Sequence, residues 1–253
     1  MEHRQSYSIK DVSELMQIPK ATIRYWEDMG LITLNRNDDN AYREFSLSNF
    51  MELSNISFFR GLDIPIKELK EILVSDVSVQ EDFLLDAERN VKEQMEELKQ
   101  KLVRIRMQKY LLSEITRLKE HGLTFGTPCF SRMVLFNEDN KEHWRGMIEE
   151  PHVFTLLMNC ENAKEYSYGI GYTKEQTQQI GETMDVIWEQ RDGTYLECLM
   201  TVNFLDESKN NMEQLMYDVK QMGYHAVSAA GQYLASGQTG DLTDYYKLWI
   251  EVE

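Results

Sequence analysis

Apolar residues recur every three or four positions at the start of the chain, in two blocks that Pro19 separates. This spacing predicts two short helices, one from Tyr7 to Met16 and one from Lys20 to Met29. Ser8 can cap the first helix through its hydroxyl, and Gly30 suits the end of the second. Two short helices joined by a tight turn make a helix-turn-helix, so the pattern predicts that motif here.

A β-hairpin and two more helices are predicted to follow. The strand-like segments are Leu31 to Leu34 and Ala41 to Phe45, on either side of a polar turn. A third helix is predicted to end at Arg60, and Pro65 suits the first residue of a fourth. A hairpin after a helix-turn-helix forms a wing, which predicts a winged helix-turn-helix head over residues 1–75.

Residues 76–121 contain neither proline nor glycine, and Gly122 follows them. Such a run predicts one helix that is long for a globular protein. Charged residues fill most of it, while the apolar seam repeats every seven positions: Leu84, Val91, Leu98, Ile105 and Leu112, with Met95 and Leu102 between them. This heptad pattern favours a coiled coil that pairs two copies of the chain; the alternative is a long helix packed on its own domain.

Strand-like and helix-like segments alternate in residues 122–253. Strands are predicted at Arg132–Phe136, Val153–Met158, Tyr166–Tyr172, Tyr195–Phe204, Gln232–Ala235 and Tyr245–Val252. Helices are predicted at Lys174–Gln190 and Asn210–Met222. Strands grouped with two helices indicate an α+β domain. The predicted fold class is therefore multidomain α+β: a winged helix-turn-helix head, a long coiled-coil helix and a C-terminal α+β domain.

Charge is distributed unevenly along the chain, whose net charge is −16 at pH 7. Residues 122–253 hold 9 Lys and Arg against 21 Asp and Glu, whereas residues 76–121 hold 9 against 10. An acidic domain repels nucleic acid and attracts cations. The asymmetry predicts that the two ends of the chain have different functions, and it makes the C-terminal domain a candidate for binding cations.

Several functional classes find no support in the sequence. The cysteines Cys129, Cys160 and Cys198 form no C-x-x-C pair, so neither a disulfide framework nor a zinc site is indicated. No apolar run approaches the roughly 20 residues that span a bilayer, and residues 1–10 lack the apolar core of a signal peptide. We therefore expect a cytoplasmic protein without a membrane span, a cofactor or a metal site.

The N-terminal segment resembles the MerR family of transcriptional regulators from residue 5 to about residue 75. The resemblance rests on separated elements that agree in type, order and spacing: Tyr7-Ser8-Ile9, Ile18 to Glu27, Gly30-Leu31, Tyr42-Arg43 and Arg60-Gly61-Leu62. It implies that the second helix and the wing contact double-stranded promoter DNA. By position in the family's motif, the DNA-binding residues are Lys20, Thr22, Arg24, Tyr25, Tyr42, Arg43 and Arg60.

The resemblance also implies an assembly and a mechanism. In MerR-like proteins the long helix pairs with that of a second copy, and the homodimer reads a two-fold related DNA site. Effector binding then distorts an over-long promoter spacer so that RNA polymerase can use it. Metal- and redox-sensing relatives carry cysteines where the coiled coil starts, and Asp76-Val77-Ser78 offers none.

The C-terminal segment order resembles the gyrase-inhibitor-like effector-binding domain of multidrug-sensing relatives. That domain is a two-fold pseudo-repeat with a pocket between its halves. Aromatic faces attract organic cations, and a buried carboxylate strengthens the attraction. The implied effector is a small cationic or aromatic compound, and the candidate ligand-binding residues are Trp144, Tyr168, Tyr172, Trp188, Tyr233, Tyr245, Trp249 and Glu251.

Two other functions stay open at this point. Gyrase-inhibitor-like domains can hydrolyse small electrophiles, for which Glu251 or Glu197 beside a tyrosine would act as general base. No Ser/His/Asp or Cys/His arrangement supports catalysis, so a regulator that is not an enzyme is favoured. The third hypothesis is a drug-sequestering protein, against which the intact head argues.

Overall fold

The computed structural model describes residues 6–36, 41–162, 165–177 and 184–253. The chain divides into two compact units, the first ending at Leu98 and the second running from Lys99 to Glu253. In these described ranges, every helix is too short or too polar to cross a membrane.

The N-terminal unit begins with short helices and a small hairpin: α1 Ile9–Met16, α2 Lys20–Asp28, β1 Asn35–Arg36, β2 Arg43–Glu44, α3 Leu47–Gly61 and α4 Ile66–Leu73. The predicted cap of α1 is confirmed, because Ser8 and Asp11 bond each other's backbone N–H groups. Ser46 caps α3 with Asn49 in the same way. Gly30 ends the α2 turn with a φ of +70°, a conformation that glycine adopts without a steric penalty.

The hairpin differs from the prediction. Leu31 to Leu34 is not a strand, and the first strand is Asn35–Arg36 instead. The reason is packing: Ile32 is buried in the core of the head, so this segment runs into the core before the chain turns outward. Pro65 also differs, since it is the residue before α4 rather than the first residue within it.

One apolar core joins the helices of the head. Its largest fully buried members include Ile23, Phe45, Leu53 and Leu69, which come from α2, the end of the hairpin, α3 and α4. An isolated bridge between Tyr7 and Phe45 ties the start of the chain to the hairpin. The exposed side of α2 is therefore held in a fixed position by the buried side.

Helix α5, Val77–His121, is 45 residues long, and Gly122 follows it with a φ of +65°. Leu84 packs against the core of the head, so this heptad residue belongs to the N-terminal unit. The other predicted seam residues are exposed by 45 to 63%: Val91, Met95, Leu98, Leu102, Ile105 and Leu112. Within the described ranges, α5 thus carries an apolar stripe that nothing covers.

The C-terminal unit continues with β3 Thr124–Phe125, β4 Arg132–Leu135, α6 Lys141–Glu149, a 3-10 turn at Pro151–Val153, β5 Phe154–Met158, β6 Tyr166–Tyr172, α7 Lys174–Thr177, β7 Val186–Glu189, β8 Thr194–Asn203, α8 Met212–Gln221, β9 Ala226–Thr239 and β10 Asp241–Val252. Its eight strands form one antiparallel sheet in the order β3-β8-β10-β9-β5-β6-β4-β7.

The topology contains an internal repeat. The segments β4-α6-β5-β6 and β8-α8-β9-β10 share the order strand, helix, strand, strand. In the sheet, β5 of the first half pairs antiparallel with β9 of the second, and the remaining strands of each half extend outward in matching order. The two halves are therefore related by a pseudo-two-fold axis between β5 and β9.

Some C-terminal elements differ from the prediction. Of the predicted helix Lys174–Gln190, only α7 is helical, residues 178–183 lie outside the described ranges, and Val186–Glu189 is a strand. The strand forms because β7 pairs with β4 and buries Trp188. The last two strands are longer than predicted because they pair with each other almost throughout. Helix α6 and strand β3 were not predicted.

Both faces of β10 are buried. On one face Tyr246, Leu248 and Ile250 share a core with α8. On the other face Tyr245 packs against the end of α5, and Trp249 lies in a separate aromatic cluster. Side chains therefore alternate between two faces along this strand, and neither face is the solvent face.

Four charged side chains form a closed ring between α5 and the sheet, which we call the ion ring: Glu114, Arg117, Glu197 and Lys247. Lys247 Nζ lies 2.7 Å from Glu114 Oε2 and 3.0 Å from Glu197 Oε2. Arg117 Nε donates to Glu114 Oε1 at 2.8 Å, and its Nη2 donates to Glu197 Oε1 at 2.7 Å. Each buried carboxylate thus meets both cations, which compensates charges that water does not reach.

The ion ring changes the protonation of its members. Above all, the hydrogen bond from Arg117 lowers the pKa of Glu114 to about 2, although burial opposes the change. Burial alone would lower the pKa of Lys247, but Glu114 and Glu197 together raise it. A carboxyl whose pKa falls on folding stabilises the fold above its ordinary pKa of 4.5, and this contribution is lost as pH falls from 4.5 to about 2.

We expect Lys247→Met to destabilise the C-terminal unit, because Glu114 and Glu197 would then share Arg117 alone. Breaking a buried ion pair by removing one partner costs about 3 kcal/mol, which urea unfolding followed by tryptophan fluorescence would detect. The control is Lys220→Met, an exposed lysine of α8, with an expected change below about 0.5 kcal/mol. Equal stability of both variants would contradict a stabilising role for the ion ring.

Candidate nucleic-acid interface and ligand sites

Helix α2 presents polar and aromatic side chains on its outer side. Lys20 and Arg24 are exposed and one turn apart, so they share a side of the helix, and Tyr25 beside them is 50% exposed. Thr22 is half-buried. Pro19 precedes the helix and offers no side-chain cap, so the first backbone N–H groups of α2 are not capped by that side chain. Such N–H groups attract phosphate oxygens.

The predicted basic residues of the wing and of α3 have partners within the head. Arg43 donates through Nε to the carboxylate of Glu27, which ties the hairpin to α2. Arg60 donates to the carbonyl oxygen of Ile64 and so holds the turn after α3. Tyr42 is 73% exposed. Both guanidinium groups keep further N–H donors, and their contact with DNA stays a prediction.

A pocket of about 520 Å³ lies between the two halves of the repeat, on the sheet face that carries α8. We call it the aromatic pocket. Phe154 and Tyr168 come from the first half, and Tyr233 and Tyr246 from the second. The other lining residues are Met147, Ile148, Pro151, Phe204, Glu207, Ser236 and Asp244.

Two carboxylates, those of Glu207 and Asp244, line the aromatic pocket together with these rings. The Tyr168 hydroxyl donates to Glu207 Oε1 at 2.8 Å. The Ser236 hydroxyl donates to Asp244 and lies 2.7 Å from the Tyr233 hydroxyl. Polar groups therefore stand at fixed positions around an apolar wall, an arrangement typical of small-molecule sites.

Burial raises the pKa of Glu207, and the negative charge of Asp244 raises it further. The nearby negative charge disfavours the ionised form of Glu207 because the two carboxylates repel each other. A bound cation would relieve this repulsion, and aromatic faces attract cations as well. The aromatic pocket therefore has the electrostatics of a site for an organic cation.

A second cavity, of about 890 Å³, opens on the opposite face of the sheet. We call it the Glu251 cleft. Glu251 pairs with Ser228 across β9 and β10, and the Ser228 hydroxyl donates to Glu251 Oε2 at 2.8 Å. Trp188 Nε1 donates in turn to Ser228 Oγ at 3.3 Å. Described residues that also line the cleft are Leu157, Met158, Asn159, Cys160, Glu165, Tyr166, Ser167, Val186, Ile187, Glu189, Gln190, Arg191 and Val227.

The eight residues assigned to one ligand pocket are not brought together. Tyr168 and Tyr233 line the aromatic pocket, while Trp188 and Glu251 line the Glu251 cleft on the other face. The predicted residues therefore do not line one cavity, and four of them are divided between two cavities. The physical reason is the alternation of side chains, which sends neighbouring strand residues to opposite faces.

Four of the eight residues line neither site. Tyr245 and Trp249 are 7% and 1% exposed and serve as core. Trp144 is 42% exposed on α6, with Nε1 donating to the Glu138 carbonyl. Tyr172 is partly buried at the end of β6.

Sequence reasoning missed Phe154, Glu207 and Asp244. Asp244 stands directly before two tyrosines of β10, and that adjacency was a usable signal. No sequence signal marked Glu207, because only the path of the loop after β8 brings it to the Tyr168 hydroxyl. The cysteines are separate: Cys129 is exposed, Cys160 half-buried and Cys198 buried.

Comparisons with known proteins single out the head. Residues 7–75 match the family model described as "MerR HTH family regulatory protein". Over 66 residues the chain is 35% identical to the HTH-type transcriptional regulator HmrR of Rhizobium leguminosarum bv. viciae, covering 26% of this chain and 50% of that protein. Over 64 residues it is 30% identical to the multidrug-efflux transporter 2 regulator of Bacillus subtilis, covering 25% of this chain and 23% of that protein. The matched segments thus span half or less of these relatives.

A longer and more distant match is the HTH-type transcriptional activator TipA of Streptomyces coelicolor, 21% identical over 180 residues, which cover 71% of this chain and 66% of that protein. Among solved structures, the EcmrR–DNA complex matches 98% of this chain and 99% of that chain at 14% identity with a TM-score of 0.35. HiNmlR bound to promoter DNA matches 47% of this chain and 96% of that chain at 22% identity with a TM-score of 0.34.

The matched family segment begins at Tyr7 of the Tyr7–Phe45 bridge and ends two residues after α4, so it coincides with the packed helices and hairpin of the head. The part of this chain that matches the MerR helix-turn-helix family model is therefore one folded domain.

Proposed function

We propose that the chain is a ligand-responsive transcriptional regulator that binds promoter DNA as a homodimer in the cytoplasm. One observation carries the proposal: a MerR-family head shares its chain with an aromatic pocket that contains two carboxylates. A DNA-binding domain explains why the chain would be recruited to a promoter. A separate pocket for an organic cation explains what would control it.

The head supplies the proposed DNA contacts. Lys20, Arg24 and Tyr25 on the outer side of α2 suit the major groove, with Thr22 beside them. The exposed Tyr42 suits the phosphate backbone. Arg43 would act in two ways, by fixing the hairpin on α2 through Glu27 and by offering its remaining donors to a phosphate.

The exposed stripe of α5 supports a homodimer. An apolar seam with a seven-residue repeat is buried when a second helix lies against it. Val91, Leu98 and Ile105 stand at equal spacing on the exposed part of this seam. A homodimer would present two heads to a two-fold related DNA site.

The C-terminal unit supports an effector-binding role of the gyrase-inhibitor-like type. Its repeat halves meet between β5 and β9, and the aromatic pocket takes rings from both halves. We propose that a small cationic aromatic compound binds there. The ligand would act on the promoter, and through the promoter on RNA polymerase. It can do so only if it binds the conformation that distorts DNA better than the conformation that does not.

Replacing Arg24 tests the DNA interface. We expect Arg24→Ala to weaken binding at least tenfold to the duplex that the wild-type protein selects from a random library, because a forked base or phosphate contact is lost. Lys10→Ala, which removes an exposed charge paired with Glu14 on α1, is the control. Electrophoretic mobility shift at fixed salt measures both, and unchanged affinity for Arg24→Ala would refute the assignment.

Replacing Glu27, the ion-pair partner of Arg43, distinguishes the two proposed roles of Arg43. If Arg43 acts mainly by fixing the hairpin, Glu27→Gln weakens DNA binding as Arg43→Ala does. If it acts mainly on a phosphate, Glu27→Gln strengthens binding, because a competing carboxylate is removed.

Replacing Leu98 tests the homodimer. We expect Leu98→Lys to shift the protein from dimer to monomer at micromolar concentration, because a charge would enter an apolar seam. Gln100→Lys adds the same charge about 200° around the helix and should leave the dimer intact. Analytical ultracentrifugation distinguishes the outcomes, and a dimeric Leu98→Lys variant would move the interface away from α5.

Replacing Glu207 tests the effector site. Among lipophilic aromatic cations, neutral aromatics and aromatic anions, we expect cations to raise the unfolding temperature. Glu207→Gln should weaken cation binding about tenfold by calorimetry, whereas Glu213→Gln on the outside of α8 should not. Cation binding should also weaken as pH falls, starting above 4.5, since the pKa of Glu207 is raised. Preference for anions would sink this proposal.

A further inference from the structure

Three hydroxyl groups around the aromatic pocket have already committed their hydrogens. The Tyr168 hydroxyl donates to Glu207 Oε1 at 2.8 Å. The Ser236 hydroxyl donates to Asp244 Oδ1, so the Tyr233 hydroxyl, 2.7 Å from Ser236 Oγ, is the donor of that second pair. A hydroxyl has one hydrogen to donate and lone pairs that accept. These three hydroxyls therefore offer acceptors, and no donors, to a ligand in the pocket.

The two carboxylates of the pocket keep unused acceptor oxygens as well. In the part of the chain that the structure describes, Glu207 Oε2 and Asp244 Oδ2 accept no hydrogen bond, and no Lys or Arg forms an ion pair with either residue. Lys209, the lysine nearest to Glu207 in sequence, pairs with Asp206 instead. The pocket thus lacks both the positive charge and the hydrogen-bond donors that two carboxylates need.

Tyr246 adds a hydroxyl without a partner. The residue lines the pocket and is only 2% exposed, and within the described ranges its hydroxyl forms no hydrogen bond. Burial raises the pKa of this hydroxyl most, and both carboxylates and the hydroxyls of Tyr168 and Tyr233 raise it further, so these groups lie close to it. Buried polar groups are normally hydrogen-bonded, so a ligand atom is the missing partner.

The rest of the wall is apolar and opens to solvent. Met147, Ile148 and Pro151 come from α6 and the turn after it, and Phe204 comes from the loop after β8. Ile148 is 75% exposed and Phe204 is 52% exposed, whereas Tyr246 lies deep. A fitting ligand therefore has an apolar body near the mouth and a cationic head inside, and the head carries the hydrogen-bond donors.

We propose that the aromatic pocket selects protonated primary amines over quaternary ammonium ions of the same charge and apolar body. The ammonium group donates to Glu207, Asp244 and the Tyr246 oxygen, and the body lies along Phe154 and Ile148. A quaternary ammonium brings the charge but no N–H group, so it leaves these acceptors without hydrogen bonds. The inference rests on the cation site proposed above and adds which cations that site admits.

The test compares naphthylethylammonium with its N,N,N-trimethylated derivative, using the full-length protein. At about pH 7.5 both carry one positive charge, because amines of this type lose their proton only near pH 10. Isothermal titration calorimetry in about 150 mM salt screens long-range attraction to the acidic surface. We expect the primary ammonium to bind at least tenfold more tightly. Equal affinities would overturn the selectivity and leave a cation site in place, whereas binding of neither ion would overturn the cation site as well.

Replacing Tyr246 locates the selectivity. Tyr246→Phe removes the hydroxyl and keeps the buried ring, so its circular dichroism should match that of the wild type. We expect the ratio of the two affinities to fall at least threefold, because only the primary ammonium can donate to the lost oxygen. Tyr217→Phe is the matched control, since Tyr217 lies on α8 outside the pocket and is 59% exposed, and it should keep the wild-type ratio.

A second variant keeps the result interpretable if Tyr246→Phe folds poorly. Asp244→Asn replaces a charged acceptor with an amide of the same shape, and it should weaken the primary ammonium more than the trimethylated ion. A wild-type affinity ratio in both Tyr246→Phe and Asp244→Asn would overturn the assignment of the selectivity to these residues.

Discussion

The ion ring is the constraint on which the C-terminal unit depends. Strand β10 is buried on both faces, yet it carries Lys247 and Glu251 among its apolar residues. A lysine inside such a sheet is tolerable only when carboxylates meet it, and Glu197 from β8 and Glu114 from α5 do so. Because Arg117 closes the ring, the end of α5 has one register on the sheet. Glu251, two positions beyond Trp249 on the same face of β10, lies outside the ring and accepts a hydrogen bond from Ser228 instead.

Close packing in the sheet explains why its two faces can hold different sites. A Cβ atom at Gly169 would lie 2.7 Å from Met133, and one at Gly171 would lie 2.8 Å from Thr155. Glycine at these two positions of β6 lets side chains of one face lie directly on the backbone. Tyr168, directly before Gly169, points to the other face and lines the aromatic pocket. Alternation along one strand therefore supplies both a dense core and a pocket wall.

Sequence periodicity predicted the parts of the fold that depend on local interactions. The Ser8 cap, the length of α5 and the strand at Tyr245–Val252 follow from neighbouring residues, and the structure confirms each. The repeat of the C-terminal unit and the division of the candidate ligand residues did not follow. The two-residue period of a strand shows which residues share a face. It does not show which face packs on a helix when both faces are buried. The strand at Val186–Glu189 was missed for a related reason, since pairing with β4 decides it.

Local pairing of charges resolves the conflict between an acidic chain and a DNA-binding head. Residues 1–75 hold 9 Lys and Arg against 12 Asp and Glu. In the head, however, Asp11 is used in a helix cap and Glu27 is paired with Arg43. Lys20 and Arg24 stay exposed on one side of α2. A phosphate at that surface meets the nearby uncompensated cations, because distant charges are screened within about 10 Å at moderate salt. We therefore expect the surface of α2, rather than the net charge of the chain, to set the affinity for DNA.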